Sequence, residues 1–243
     1  MELYVLKMNE NNQLKRDVFF ISISGGKDST ALLLKLIEDK KQIDGIYFVD
    51  TQKELPETYE IIKRLSVYCE EKINIPIITL TPQMGRSYYD YFYKVRKKGK
   101  YIGQIRGFPK VCFKCWWQRD CKDYLLKKVT KEEIKKGNIL YWYVGFTSDE
   151  LKRCKKYTNQ IYPLVNYNMT EKDCMDYCKD KGWLNEAYIK YGFLRMGCYD
   201  CPKQKKKDLI QIKNNFPNLW EQMLKDEKDS PHGFHPKFKL GDI

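Results

Sequence analysis

An apolar run at Asp17–Ile23 passes directly into SISGGKDST, residues 22–30, and this junction constrains the fold more than any other stretch of the chain. A short continuous apolar run suits a strand buried on both faces. Ala31, Leu32, Leu34, Leu36 and Ile37 then give one apolar side to a helix that Ser29 can cap. Residues 43–49 read as a second strand. Pro56 stands where a helix can begin, and Tyr59, Ile62, Leu65 and Cys69 follow at helical spacing. Residues 75–80 read as a third strand, with Pro76 at its first residue or on an edge. Strand, helix, strand, helix, strand predicts an α/β fold, a parallel twisted sheet flanked by helices. In such sheets ligands bind beyond the carboxyl ends of the strands, which is where SISGGKDST stands.

Periodicity is lost over 81–110. Glycines punctuate this segment, and Arg86, Lys94, Arg96, Lys97, Lys98, Lys100 and Arg106 load it with charge, so a basic insertion and partly mobile loop are expected. A helix near 118–128, a strand near 139–144 and a helix over 147–156 follow. Another helix, 171–181, starts after Thr170 and stops at Gly182. One amphipathic helix is expected after Lys205. Strands cease near residue 164, which divides the chain into a nucleotide-binding domain, 1–164, and a mostly helical region, 165–243.

Two glycines let backbone N–H groups approach an oxyanion closely, and the following helix aims its partial positive charge at the same place. Lys27 can add a full charge; Ser22, Ser24, Ser29 and Thr30 can add hydroxyls. These parts make a phosphate cradle; the plainer alternative is a glycine turn that only joins strand to helix. The spacing is neither the common P-loop nor the GxGxxG fingerprint.

The 243 residues carry 45 Lys+Arg against 32 Asp+Glu, a formal net charge of +13. That surplus favours polyanionic partners, or reflects a generally lysine-rich proteome. SYYDYFYKVRKKGKYIGQIRGF, residues 87–108, interleaves aromatics with cations. This suits single-stranded nucleic acid, or equally a loop that covers a nucleotide. The first residues lack the features of a secretory signal and no apolar run is long enough for a bilayer, so a cytoplasmic location without membrane partners is expected. The nine cysteines are then expected to be reduced. Cys112 and Cys115 form one CxxC pair, Cys198 and Cys201 another; together they offer four thiolates to Zn²⁺ or to a [4Fe–4S] cluster. Cys69, Cys121, Cys154, Cys174 and Cys178 are assigned to packing.

The stretch SGGKDS resembles the pyrophosphate loop of the ATP pyrophosphatase superfamily, and FVDTQKELPETYE, residues 48–60, resembles the VDTG…PET segment of its phosphoadenosine phosphosulfate reductase-like members. VGFTSDELKRCKK, YPLVNYNMTEKDCMDYC and YGFLRMGCYDCP resemble later segments of that family. Gln52 replaces the usual glycine, and Thr147 stands where an arginine is usual. The resemblance implies a Rossmann-like, adenine nucleotide α-hydrolase-like fold. It implies ATP with its β- and γ-phosphates on residues 24–29, attack on the α-phosphorus and release of pyrophosphate. It places Lys27 and Asp28 in catalysis, with Mg²⁺ near Asp28. It gives nucleotide-binding roles to Gly25, Gly26, Gly145 and Arg153; Asp50 and Thr51, at a strand's carboxyl end, are candidates to bind adenosine or position Mg²⁺, with a helix-entry turn as the plainer alternative. It also favours a [4Fe–4S] cluster over zinc at the cysteines. Sulfonucleotide reductases of the family attack with a cysteine in an ECGxH-like motif near the C-terminus. No cysteine follows Cys201 here, so that route lacks its nucleophile. Adenylation with sulfur transfer, to tRNA or DNA and from a sulfur-donor protein, is the expected chemistry. A reductase and a non-catalytic, zinc-stabilised binding protein are the alternatives.

Overall fold

The computed structural model describes residues 15–155 and 159–243. Residues 1–14, on which the signal-peptide reading rests, and Lys156 lie outside them. Strand β1 (Asp17–Ile23) is the centre of a five-stranded sheet ordered β3-β2-β1-β4-β5, with β2 at Gly45–Val49, β3 at Ile77–Leu80, β4 at Ile139–Tyr143 and β5 at Gln160–Ile161. β1 runs parallel to β2, pairing Ile21 with Ile46, and parallel to β4, pairing Ile21 with Tyr143. β4 runs parallel to β5. The fold is thus the expected α/β arrangement, a parallel sheet with helices. Its central strand is buried on both faces: Val18, Phe20, Ile21 and Ile23 are each at most 3% exposed. Asp44, entering β2, accepts a hydrogen bond from Phe19 N–H at 2.8 Å and pins the start of the pairing.

Helix α1 (Lys27–Glu38) buries Ala31, Leu32, Leu33 and Leu36 completely. Burial of each leucine contributes about 1.5–3 kcal/mol. Helix α2 (Pro56–Ile73) begins at its proline, as the missing N–H of that residue allows.

The chain divides into two compact units that no single cut separates. The first comprises Met1–Phe48, Ile62–Thr79 and Leu125–Leu184. It holds most of the sheet, α1 and the helix Glu171–Asp180, and residue 164 falls inside it. The second comprises Val49–Ile61, Leu80–Tyr124 and Asn185–Ile243. It contains α3 (Tyr88–Phe92), and the segment 81–110 is not a bare loop: Tyr88, Phe92 and Phe108 are at most 2% exposed, and Phe108 meets Phe234 edge-on at 5.0 Å. Residues Gln118–Asp123 form a π-helical turn that runs into α4 (Tyr124–Lys135). The expected helix over 147–156 is only a 3-10 turn, Ser148–Arg153.

Short α5 (Pro163–Asn166) precedes α6 (Glu171–Asp180), whose Thr170–Asp173 capping box fixes its start. After α7 (Glu186–Tyr191), the tail forms two helices rather than one, α8 (Lys206–Asn215) and α9 (Pro217–Asp229). Pro217 cannot continue a helix and forces Phe216 to an extended φ of −133°.

Candidate functional site

The glycine loop lies at the carboxyl end of β1. Gly25 has φ +70°, a conformation that favours glycine, and extended Gly26 is the residue from which α1 starts. Ser29 is therefore not the cap; it sits in the first turn, because the helix begins earlier, at Lys27. Its hydroxyl works within the loop instead. Ser29 Oγ accepts from Ser24 N–H and donates to the Gly26 carbonyl, both at 3.1 Å, and lies 3.1 Å from Ser24 Oγ. Gly145, after β4, comes to the same turn: a Cβ there would meet Asp28 and Ser29 backbone atoms at 3.4 Å.

Lys27 is buried, and its Nζ lies 2.9 Å from Asp28 Oδ2 and 2.7 Å from Glu171 Oε2. Glu171 opens α6 and was not legible as a site residue. Burial pushes the Asp28 carboxyl above its usual range, and the adjacent Lys27 opposes that shift. Asp28 Oδ1 and the hydroxyls of Ser22 and Thr30 are buried without a hydrogen-bond partner among the described residues. Such orphaned oxygens are expected where a ligand or cation completes a site. Arg153 pairs with Glu150 and lies over the Phe146 ring at 4.2 Å. Thr147, where an arginine is usual, is fully buried and precedes the 3-10 turn.

In the second unit, Asp50 Oδ1 accepts from Gln52 N–H at 2.7 Å and from the Tyr59 hydroxyl at 2.8 Å. Gln52 has φ +61°, which explains the usual glycine at this position; its side chain accepts from Tyr88 N–H at 2.9 Å. Thr51 serves the cysteines. Its hydroxyl donates to Glu54 at 2.7 Å and accepts from Cys198 Sγ at 3.4 Å, while its carbonyl accepts from Trp117 Nε1 at 2.8 Å.

The two CxxC turns are cross-tied. Lys203 Nζ donates to the carbonyl of Phe113, inside the first turn, at 3.0 Å. Cys115 Sγ accepts from Gln118 N–H at 3.4 Å, and Gln204 Nε2 donates to the Cys198 carbonyl at 3.1 Å. Burial raises the thiol pKa of Cys115, Cys198 and Cys201, and the nearby Cys115 adds to the shift at Cys201. Cys112 is exposed. The donor chemistry fits a soft metal or an iron–sulfur cluster: four reduced thiols, with a backbone N–H directed at a sulfur. Among the described residues, however, no three or more His, Cys, Asp or Glu side chains are gathered as a metal-holding group.

Residues 18–204 match the family profile of the phosphoadenosine phosphosulfate reductase domain. The chain belongs to that family. It is 29% identical over 234 residues to the uncharacterized protein MJ0973 of Methanocaldococcus jannaschii, covering 88% of this chain and 50% of that protein. It is also 29% identical over 223 residues to the uncharacterized protein MJ0066 of the same organism, covering 88% and 42%. The chain thus spans about half the length of the curated relatives it matches. The solved U34-tRNA thiolase NcsA from Methanococcus maripaludis, with its [4Fe–4S] cluster, aligns with a TM-score of 0.43 and 14% identity over 88% of this chain and 72% of that one.

For a phosphoadenosine phosphosulfate reductase-family chain, the least expected feature is a buried lysine beside the second cysteine pair. Lys53 is 2% exposed, and Nζ lies 3.3 Å from Asp200 and 3.8 Å from Asp226. The only sequence signal for it is an acidic residue between Cys198 and Cys201. The 87–108 segment departs from expectation in part. Tyr88 and Phe92 are core residues, and Lys110 and Arg96 lie over Tyr101 at 4.3 and 5.3 Å. Much of the aromatic surface is therefore already used inside the fold. No helix among the described residues is long and apolar enough to cross a membrane.

Proposed function

We propose that the chain is an ATP-dependent adenylating enzyme that activates a substrate with release of pyrophosphate and then transfers sulfur to it. The acceptor is a nucleic acid, tRNA or DNA, and the sulfur comes from a donor protein. One observation carries this reading. A left-handed Gly25 and an extended Gly26 open α1 at the end of the central strand, with an unpartnered Asp28 oxygen buried beside the Lys27 ammonium.

Backbone N–H groups at the start of α1 bind the polyphosphate oxygens, assisted by the helix dipole. Lys27 offsets charge on pyrophosphate as it departs, once its ammonium exchanges Asp28 and Glu171 for phosphate oxygens. A substrate oxygen forms a bond to the α-phosphorus, and the bridging bond to the β-phosphate breaks. A sulfur nucleophile then displaces AMP. Asp28 is the residue that would hold Mg²⁺, which supplies neutralisation of the polyphosphate charge. Cys112, Cys115, Cys198 and Cys201 would hold a [4Fe–4S] cluster, with Zn²⁺ as the alternative; a cluster would supply an iron able to bind sulfur.

The test is incubation with ATP, Mg²⁺ and either tRNA or single-stranded DNA, reading pyrophosphate. Release that depends on nucleic acid and is lost in Lys27→Met supports the reading. No release with either acceptor ends it, and sulfite from phosphoadenosine phosphosulfate would identify a reductase instead. Metal analysis with an absorption spectrum on anaerobically purified protein separates iron from zinc.

A further inference from the structure

The turn between β2 and α2 carries the family's second motif, yet two of its residues direct their interactions at cysteines. Lys53 grips both interior residues of the C-Y-D-C turn. Its carbonyl accepts from Tyr199 N–H at 2.7 Å, and its ammonium pairs with Asp200 at 3.3 Å. The same ammonium donates to the Tyr89 hydroxyl at 2.9 Å and to the Tyr199 hydroxyl at 3.3 Å, and lies 4.2 Å from the centre of the Tyr88 ring. Asp226, its second carboxylate partner, is itself held by Tyr89 at 3.0 Å and by Gln222 at 2.7 Å. Thr51 adds the contact to Cys198 Sγ and, through its carbonyl, holds Trp117, two residues beyond Cys115.

A buried ion pair is a poor way to gain stability, because each charge loses its hydration. What such a network supplies well is a fixed position. Lys53 is held by its ion pairs and by directed bonds to Tyr89 and Tyr199, while Asp200 Oδ2 and the Tyr88 hydroxyl have no hydrogen-bond partner among the described residues; together these contacts tie the 198–201 turn to the β2–α2 turn. Thr51 does the same for one sulfur and for the start of the π-helical turn.

We propose that Thr51 and Lys53 are positioning residues for the thiol site, Lys53 setting the Cys198–Cys201 turn and Thr51 setting the Cys198 sulfur against the segment after Cys115. This rests on the proposed function only in taking these thiols as the working ligands.

The experiment uses the full chain and two readouts. Residue-resolved alkylation by iodoacetamide reports thiol exposure, with buried Cys121 and Cys174 as controls for the second and first units. Titration with Co²⁺ reports thiolate-to-metal charge transfer. Lys53→Met is expected to raise labelling of Cys198 and Cys201 about tenfold by local opening, with Cys121 and Cys174 still protected. Thr51→Val is expected to raise labelling of Cys198 alone. Adding Asp200→Asn to Lys53→Met is expected to restore most of the protection, which a merely space-filling Lys53 would not do.

If Lys53→Met also exposes Cys121, the second unit has unfolded and Thr51→Val decides. Labelling of Cys198 within twofold of the wild type in Thr51→Val, or of both thiols in a folded Lys53→Met, overturns the proposal. A wild-type chain that shows no charge transfer with Co²⁺ removes the metal part of the proposed function, while the labelling pattern still decides the positioning role.

Discussion

The glycine loop and the cysteine turns are built by opposite means. The loop's internal bonds are local: Ser24, Gly26 and Ser29 bond to one another across at most five residues, and one strand and one helix place them. The cysteine turns are held from a distance. Thr51 reaches Cys198 across 147 residues and Lys53 reaches Tyr199 across 146. A site made of adjacent backbone is sensitive at its special φ angles and at the few side chains, such as Lys27, that would act on the ligand. A site made of distant side chains is exposed to the loss of any one of them.

The sharpest way to break this comparison is Lys53→Met. It leaves Asp200 and Asp226 buried without their cation, and the expected loss is about 3–5 kcal/mol, measured by urea unfolding. A loss below about 1 kcal/mol would show that the second unit does not depend on this residue.

Gly25→Ala comes next. The residue would carry a Cβ at φ +70°, costing about 1–2 kcal/mol in folding and, by displacing the loop N–H groups, at least about tenfold in ATP affinity by calorimetry. Lys53→Met should leave that affinity unchanged, and a fall would show that the two regions are energetically one.

A pH series compared between the wild type and Cys69→Ala probes the first unit. Burial raises the Cys69 thiol to about 12 from an ordinary value of 9.0. Its folded pKa therefore exceeds its unfolded one, and an acid is neutral when protonated. The stability it contributes is full below pH 9.0 and falls as the unfolded state alone ionises, by up to about 1.4 kcal/mol per pH unit. Thermal melting from pH 8 to pH 10.5 should decline less steeply in Cys69→Ala.

The smallest effect is expected at Gln52→Gly. Relief at φ +61° favours the variant, while loss of the acceptor for Tyr88 N–H opposes it, each about 1 kcal/mol. A melting temperature within a few degrees of the wild type is the expected result, in contrast to Gly25→Ala at a similar backbone angle.

These contrasts also explain what was legible in the sequence. β1, α1, β2 and the start of α2 at Pro56 followed from apolar period and proline chemistry, because local preference and tertiary burial agree there. Ser29 is a capping residue type that lies inside the first turn, because Gly26 supplies the extended backbone on which α1 starts. The core of 81–110 was hidden because its aromatics have no period of their own and find partners such as Phe234 far along the chain. The tail's break lies at Pro217, whose ring ends one helix and opens the next where the expectation of a single helix took no account of it. The cysteine pairs were visible as spacings, whereas Glu171 and Lys53 were not, since nothing near either residue states which distant charge it meets.

One more consequence follows from the pairing of Lys27 with two carboxylates. An ammonium so engaged offers little to chloride, sulfate or a lone monophosphate, since each would have to evict a carboxylate for no net electrostatic gain. A polyanion arriving with its own divalent counterion restores more charge balance than it disturbs. On the proposed function, the loop would thereby sort its visitors by valence before any recognition of shape.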